Sequence, residues 1–152
     1  MSFDRLVRAV DEWAARTGRT DVFAQIGPDA YTPRHIAHTQ FLEPSEFRSR
    51  VESADVIVAH AGMGSILTAL EAGKPILVMP RRGDLRETRN DHQIATAERF
   101  GQTGKVAVAM DESELGVKLD SLGELSANEQ IGPHASDELI TALRSFIRGD
   151  RA

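Results

Sequence analysis

A chain of 152 residues, 41% hydrophobic and 27% charged, is long enough to bury a core and reads as a single domain, 1–152. Its net charge of −5 lacks the basic field with which a nucleic-acid binder neutralises phosphates, and with no cysteine it can form neither a disulfide framework nor a thiolate metal site. No apolar run approaches the length of a membrane span, and the opening MSFDRLVRAVDEW is amphipathic and acid-containing, unlike a signal peptide, so the expected location is the cytoplasm.

In chain order, Phe3, Leu6, Val7, Val10 and Trp13 recur at helical spacing, with Gly18 as the stop. Val22 to Ile26 predicts a short strand closed by Gly27-Pro28, and a weaker extended piece lies near His38 to Leu42. Glu43-Pro44-Ser45 opens a helix carrying Phe47 and Val51. The apolar segment Val56 to Ala59 is a strand that feeds His60, Gly62, Gly64 and Ser65 into a helix running through Ala72 and stopped by Gly73. Pro75 to Pro80 is continuously apolar, as suits a strand covered on both faces. A helix from about Asp91 to Phe100, a strand from Val106 to Met110, and an acidic, poorly periodic stretch from Asp111 to Gln130 follow, the last expected to be loop with a short helix. Leu139, Ile140, Leu143, Phe146 and Ile147 mark an amphipathic final helix. Strands alternating with helices imply a parallel, doubly wound sheet whose ligands sit beyond the carboxyl ends of its strands.

Three segments fall at such strand ends. The first is a candidate phosphate cradle, His60 to Ser65, where glycines allow close backbone approach and the following helix N-terminus attracts a phosphate; Ser65 can cap that helix or offer its hydroxyl. Two glycines alone are equally compatible with a plain strand-to-helix turn, and His60 with a histidine that merely holds that turn. The second is PRRGDLRETRNDHQ, crowding Arg81, Arg82, Arg86, Arg89, Asp91, His92 and Gln93 between a strand and a helix; for the charges alone a solvated loop is the better explanation, and Asp91 is a natural N-cap. The third, Gln25-Ile26-Gly27, is by itself a turn.

Taken together, HAGMGSILTALEAGKPILVMP and NDHQIATA resemble the donor-binding, C-terminal half of GT-B glycosyltransferases of the family 28 type. The chain is closer still to short catalytic subunits of two-subunit glycosyltransferases, among them the soluble subunit acting on dolichol-linked sugar and bacterial exopolysaccharide subunits. The resemblance runs from FDRLVRAV through FAQIG, ADVIVAHAGMGS, GKPILVMPRR and NDHQ to about Val108. It implies a Rossmann-like doubly wound parallel sheet and a UDP-sugar donor lying across the strand ends. His60, Gly62, Met63, Gly64 and Ser65 would meet the diphosphate, Asp91, His92 and Gln93 would lie near the sugar, and Arg81 or Arg82 would offset phosphate charge. Many GT-B enzymes place an acidic residue for the ribose three positions after the cradle serine; here that position is Thr68, with Glu71 one turn on as a substitute.

The resemblance further implies hexosyl transfer with inversion, with no cofactor and no obligatory metal, to a lipid-linked acceptor held by a membrane-anchored subunit, which would bring the chain to the inner face of the membrane. The apolar face of the final helix offers a means of docking on that subunit, and packing on the chain's own sheet accounts for that face at least as well. Within the chain His35 and His38 are the histidines available as general base, though nothing around them marks either for that role. An epimerase or hydrolase relative, or a catalytically silent nucleotide-sugar module, are the alternatives. Short subunits of this kind begin with an apolar strand ahead of the helix that here reads FDRLVRAV, so the fold is expected without its first strand, leaving the strands at Val22 and Val56 without their shared neighbour.

Overall fold

The computed structural model describes residues 3–102 and 106–122. Helix α1 (Asp4–Thr17) opens with an acid in its first turn and ends at Gly18, whose φ of 71° reverses the chain in a way few other residues tolerate. Strands β1 (Phe23–Gln25) and β2 (Ala37–Thr39) pair in parallel, Ala24 opposite His38. Helix α2 (Pro44–Ser53) follows, with proline in its first turn. Strand β3 (Ile57–His60), helix α3 (Met63–Glu71) and strand β4 (Ile76–Met79) form a strand–helix–strand unit in which Gly73 ends the helix, and helix α4 (His92–Gly101) leads to strand β5 (Ala107–Val108) and helix α5 (Glu112–Asp120).

Every strand pair is parallel, but there are two sheets, β1-β2 and β3-β4-β5, with no ladder joining them among the described residues. Within those residues strand β1 therefore pairs only with β2, and β3 only with β4. The consequence is visible in burial: all four residues of β4 are buried, while all four of β3 are half-exposed although their composition is nearly as apolar. Alternating side chains of β4 enter two cores. Leu77 and Met79 pack with Leu6, Val10 and Trp13 of α1 and Leu115 and Leu119 of α5; Ile76 and Val78 pack with Ile66 and Leu70 of α3 and Phe100 of α4. Each fully buried aliphatic side chain of this kind contributes about 1.5–3 kcal/mol.

The expected elements from residue 3 to Met110 are present, with ends that differ by one to three residues: β1, β4 and β5 are shorter, while β2, β3 and α4 are shifted. The acidic stretch after Asp111 holds the short helix expected there, nine residues long and capped by the Asp111 carboxylate accepting from Glu114 N–H at 2.9 Å, with Leu115 and Leu119 buried four residues apart. Acidic residues fill its first turn, where the helix dipole favours them, and they hide its two-residue apolar stripe from a reading of periodicity. Residues from 123 on, including the final helix read from Leu139 to Ile147, lie outside the described residues.

Candidate functional site

At the carboxyl end of β3 the chain turns through Ala61 and Gly62 into α3. Gly62 is the N-cap, in extended conformation, and no side chain among the described residues caps the helix. The first intrahelical bond runs from Ile66 N–H to Gly62 O at 3.2 Å, so the N–H groups of Met63, Gly64 and Ser65 precede it and face outward at the positive end of the dipole. The expected Ser65 cap is corrected by this geometry. Ser65 stands in the third helical position, past the capping site, and its hydroxyl engages His60 instead, Oγ to Nε2 at 3.3 Å. Met63 turns its side chain into the α3 core, leaving its backbone to the cradle. A Cβ on Gly64 would meet nothing within 4 Å, whereas one on Gly62 would fall 2.1 Å from His60 Cε1. Glycine at 62 is thus what lets the imidazole lie over the turn.

The loop after β4 closes one side. Gln93, on the first turn of α4, accepts the Arg81 backbone N–H at 3.0 Å and brings its amide nitrogen 3.1 Å from His60 Nδ1. Arg81 folds inward over the Phe3 ring, 5.1 Å from its centroid, with Nη1 donating to Glu87 O. Arg82 points outward to Asp84 at 2.6 Å. Of the two arginines, Arg81 is the one beside the cradle. Burial, with the charge of Arg81 added, holds the His60 imidazole below its usual value, and burial likewise depresses Arg81.

Other expected residues take different places. Asp91 occupies the N-cap position of α4, but its side chain makes no cap; Oδ1 instead accepts from Gly83 N–H at 3.0 Å, bracing the loop. The α4 start is served by Asn90 Oδ1, which accepts from His92 N–H. Asp91 and His92 are both exposed. Thr68 donates its hydroxyl to Gly64 O, 2.8 Å away within its own helix, and Glu71 is exposed at the end of α3. His35 and His38 belong to the other sheet region, where the His35 N–H bonds Asp11 and the His38 ring lies 3.2 Å from Ile36 O.

Two supports cannot be read from the sequence. Arg5 on α1 forms a bidentate pair with Glu87 at 2.9 and 3.0 Å and donates to Pro80 O at 3.1 Å, and Glu87 also accepts from Arg82 N–H. The loop carrying Arg81 is thereby tied to the first helix across 82 positions of sequence, a distance no local pattern reveals. Among the described residues no acidic or histidine cluster is arranged for a metal ion, and no helix is long and apolar enough to cross a membrane.

A parallel α/β sheet with an uncapped, glycine-flanked helix N-terminus at a strand end and a half-buried arginine alongside defines the class of the fold, and its geometry is chemically able to hold an anion such as a phosphate. Within that class, residues 1–134 match the model of the glycosyltransferase family 28 C-terminal domain, and the chain belongs to that family. It is 26% identical over 113 residues to the human UDP-N-acetylglucosamine transferase subunit ALG13, covering 68% of this chain and 10% of that protein. The same subunit from Cryptococcus neoformans is 39% identical over 70 residues, covering 45% of this chain and 33% of the relative. The chain thus spans a third or less of these curated relatives. In fold it is similar to the glycotransferase of kitacinnamycin (TM-score 0.56, 24% identity, 95% of this chain and 35% of that one) and to MurG of Acinetobacter baumannii (TM-score 0.53, 19% identity, 95% and 48%).

Proposed function

We propose that the chain is the donor-binding part of a hexosyltransferase, holding the diphosphate of a UDP-sugar on the N–H groups of Met63, Gly64 and Ser65. The observation that carries this reading is the uncapped α3 N-terminus beside the inward-turned Arg81, in a chain of family 28. Oriented N–H dipoles and the guanidinium would stabilise the charge that grows on the leaving diphosphate as the sugar departs with inversion. In this reading Asp91 and His92, exposed at the loop rim, would read sugar hydroxyls, and the exposed Glu71 would approach the ribose.

The acceptor, in this reading, is lipid-linked and held by a membrane-anchored partner subunit that also supplies the general base. His60 is unsuited to serve as that base, because it is half-buried and both ring nitrogens are engaged. The relatives' description as transferase subunits supports the division of labour. The test is transfer from a panel of nucleotide sugars to a lipid-linked acceptor, with and without the partner subunit. Activity that requires both chains is expected. Binding without transfer under every condition would favour a silent nucleotide-sugar module.

A further inference from the structure

The hydrogen-bond chain behind the cradle has a direction that the backbone itself dictates. The Arg81 N–H is a donor and nothing else, so the Gln93 atom 3.0 Å from it must be the carbonyl oxygen. The other end of that amide, the NH2 group, is therefore the one 3.1 Å from His60 Nδ1. An NH2 group only donates, so Nδ1 must accept, and a neutral imidazole accepting at Nδ1 carries its proton on Nε2. That N–H lies 3.3 Å from Ser65 Oγ. Since Oγ receives this proton, the hydroxyl's own hydrogen is turned away from His60.

We infer that Gln93 and His60 form a one-way relay that presents the Ser65 hydroxyl as a hydrogen-bond donor to an oxygen of the anion in the cradle. The sequence of bonds is Arg81 N–H to Gln93 Oε1, Gln93 Nε2–H to His60 Nδ1, His60 Nε2–H to Ser65 Oγ, and Ser65 O–H to the ligand. Gln93 and His60 are positioning residues, and Ser65 is the group that touches the ligand. The inference deepens the donor-binding reading and rests on it for the identity of the anion. Three features favour the arrangement. Gly62 leaves room for the ring, since any Cβ there would overlap it. Burial and Arg81 keep the imidazole neutral, as the relay needs. Gln93 sits where a family resemblance assigns a sugar contact, yet both ends of its amide are already committed to the protein.

Gln93→Glu is the discriminating change, because a carboxylate still accepts the Arg81 N–H but can no longer donate to Nδ1. The imidazole proton should move to Nδ1, leaving Nε2 to accept from Ser65 and drawing the hydroxyl hydrogen away from the ligand. Two readouts separate this from a structural role. Long-range proton–nitrogen correlation spectra of the ligand-free protein should show His60 protonated at Nε2 in the parent and at Nδ1 in Gln93→Glu; a parent protonated at Nδ1 overturns the inference, whatever the ligand. Titration with UDP completes a double-mutant cycle with Ser65→Ala. Loss of a hydrogen bond to a charged oxygen should weaken UDP about tenfold to a hundredfold in either single variant. The Gln93→Glu penalty should fall below about threefold once Ser65 is alanine. An undiminished penalty in the Ser65→Ala background would mean that the added charge acts directly on the ligand and would overturn the relay. Failure of the folded parent to bind UDP at all would instead overturn the donor-binding reading, while the spectra still decide the relay's direction.

Discussion

The two sheets of this molecule are built to different standards. Strand β4 is flanked by a strand on each side and by helices on both faces, and nothing in it reaches solvent. The β1-β2 pair has two exposed residues in β2, none fully buried in β1, and a following helix, α2, that buries no residue at all. What ties it to the rest is α1, whose apolar face packs Ala24 and Ile36 together with Leu77 and Met79, and the carboxylate of Asp11 on the same helix. Asp11 is completely buried. It accepts from the N–H groups of Arg34, His35 and Ile36 and from the Tyr31 hydroxyl, at 2.8–3.2 Å. The cradle grows out of the well-covered sheet, with its helix anchored by Ile66 and Leu70, so the N–H groups of α3 are held in place by a full core.

The change with the largest expected effect strikes the covered sheet. Leu77→Ala should cost about 3–5 kcal/mol by removing a fully buried side chain whose space neither solvent nor rearrangement can refill, read from the urea midpoint. Asp11→Ala should cost about 2–3 kcal/mol, since it strands three backbone donors, that of Ile36 fully buried and those of Arg34 and His35 partly so. Its signature should be local: hydrogen exchange should speed up between Tyr31 and Thr39 while β4 amides keep their protection. Equal loss at β4 would show that the two sheets unfold as one unit. Phe47→Ser on α2, where the ring is 40% exposed, should change stability by less than about 0.5 kcal/mol.

Acid distinguishes the regions as well. Burial would raise the Asp11 carboxyl, but its backbone and Tyr31 bonds outweigh that and hold it below 3.8; its contribution is complete above that value and is lost as pH falls through the depressed folded value. His60 is also depressed, from 6.5, by burial and Arg81. The unfolded chain therefore takes up that proton first, and stability declines as pH falls from 6.5 toward the folded value. A His60→Gln variant should lack this slope. A parent and variant with parallel pH profiles would mean that the imidazole is not held neutral.

Much of this architecture is legible in the chain. The alternation of apolar strands with periodic helices predicts every element up to Met110, and PILVMP announces a strand covered on both faces because no polar residue interrupts it. The cradle is equally plain, being local: His60 to Ser65 are consecutive. What sequence hides is direction and partnership. That Arg81 turns inward and Arg82 outward, that Gln93 reaches back 33 positions to His60, and that Arg5 clamps Glu87 all depend on chain segments meeting in space. Residue preference puts Asp91 at the N-cap position it does occupy but not its carboxylate on Gly83 N–H, and it misassigns a cap to Ser65, whose hydroxyl is engaged by His60. For helix α5 the sequence supports a short helix within an acidic stretch but not its bounds, because two leucines four apart are too short a stripe to stand out against its acids.

The α3 N-terminus as holder of a UDP-sugar's diphosphate is tested most directly at Gly64. Its added Cβ meets nothing in the protein but would stand among the N–H groups that the ligand must approach. Calorimetric titration of UDP into the parent and into Gly64→Val, each first shown by thermal unfolding to be folded, is the decisive measurement. Saturable binding by the parent is expected, with a loss of at least about tenfold in affinity in the variant, about 1.4 kcal/mol or more, and Tm nearly unchanged. A folded Gly64→Val protein that binds UDP as tightly as the parent would contradict this assignment.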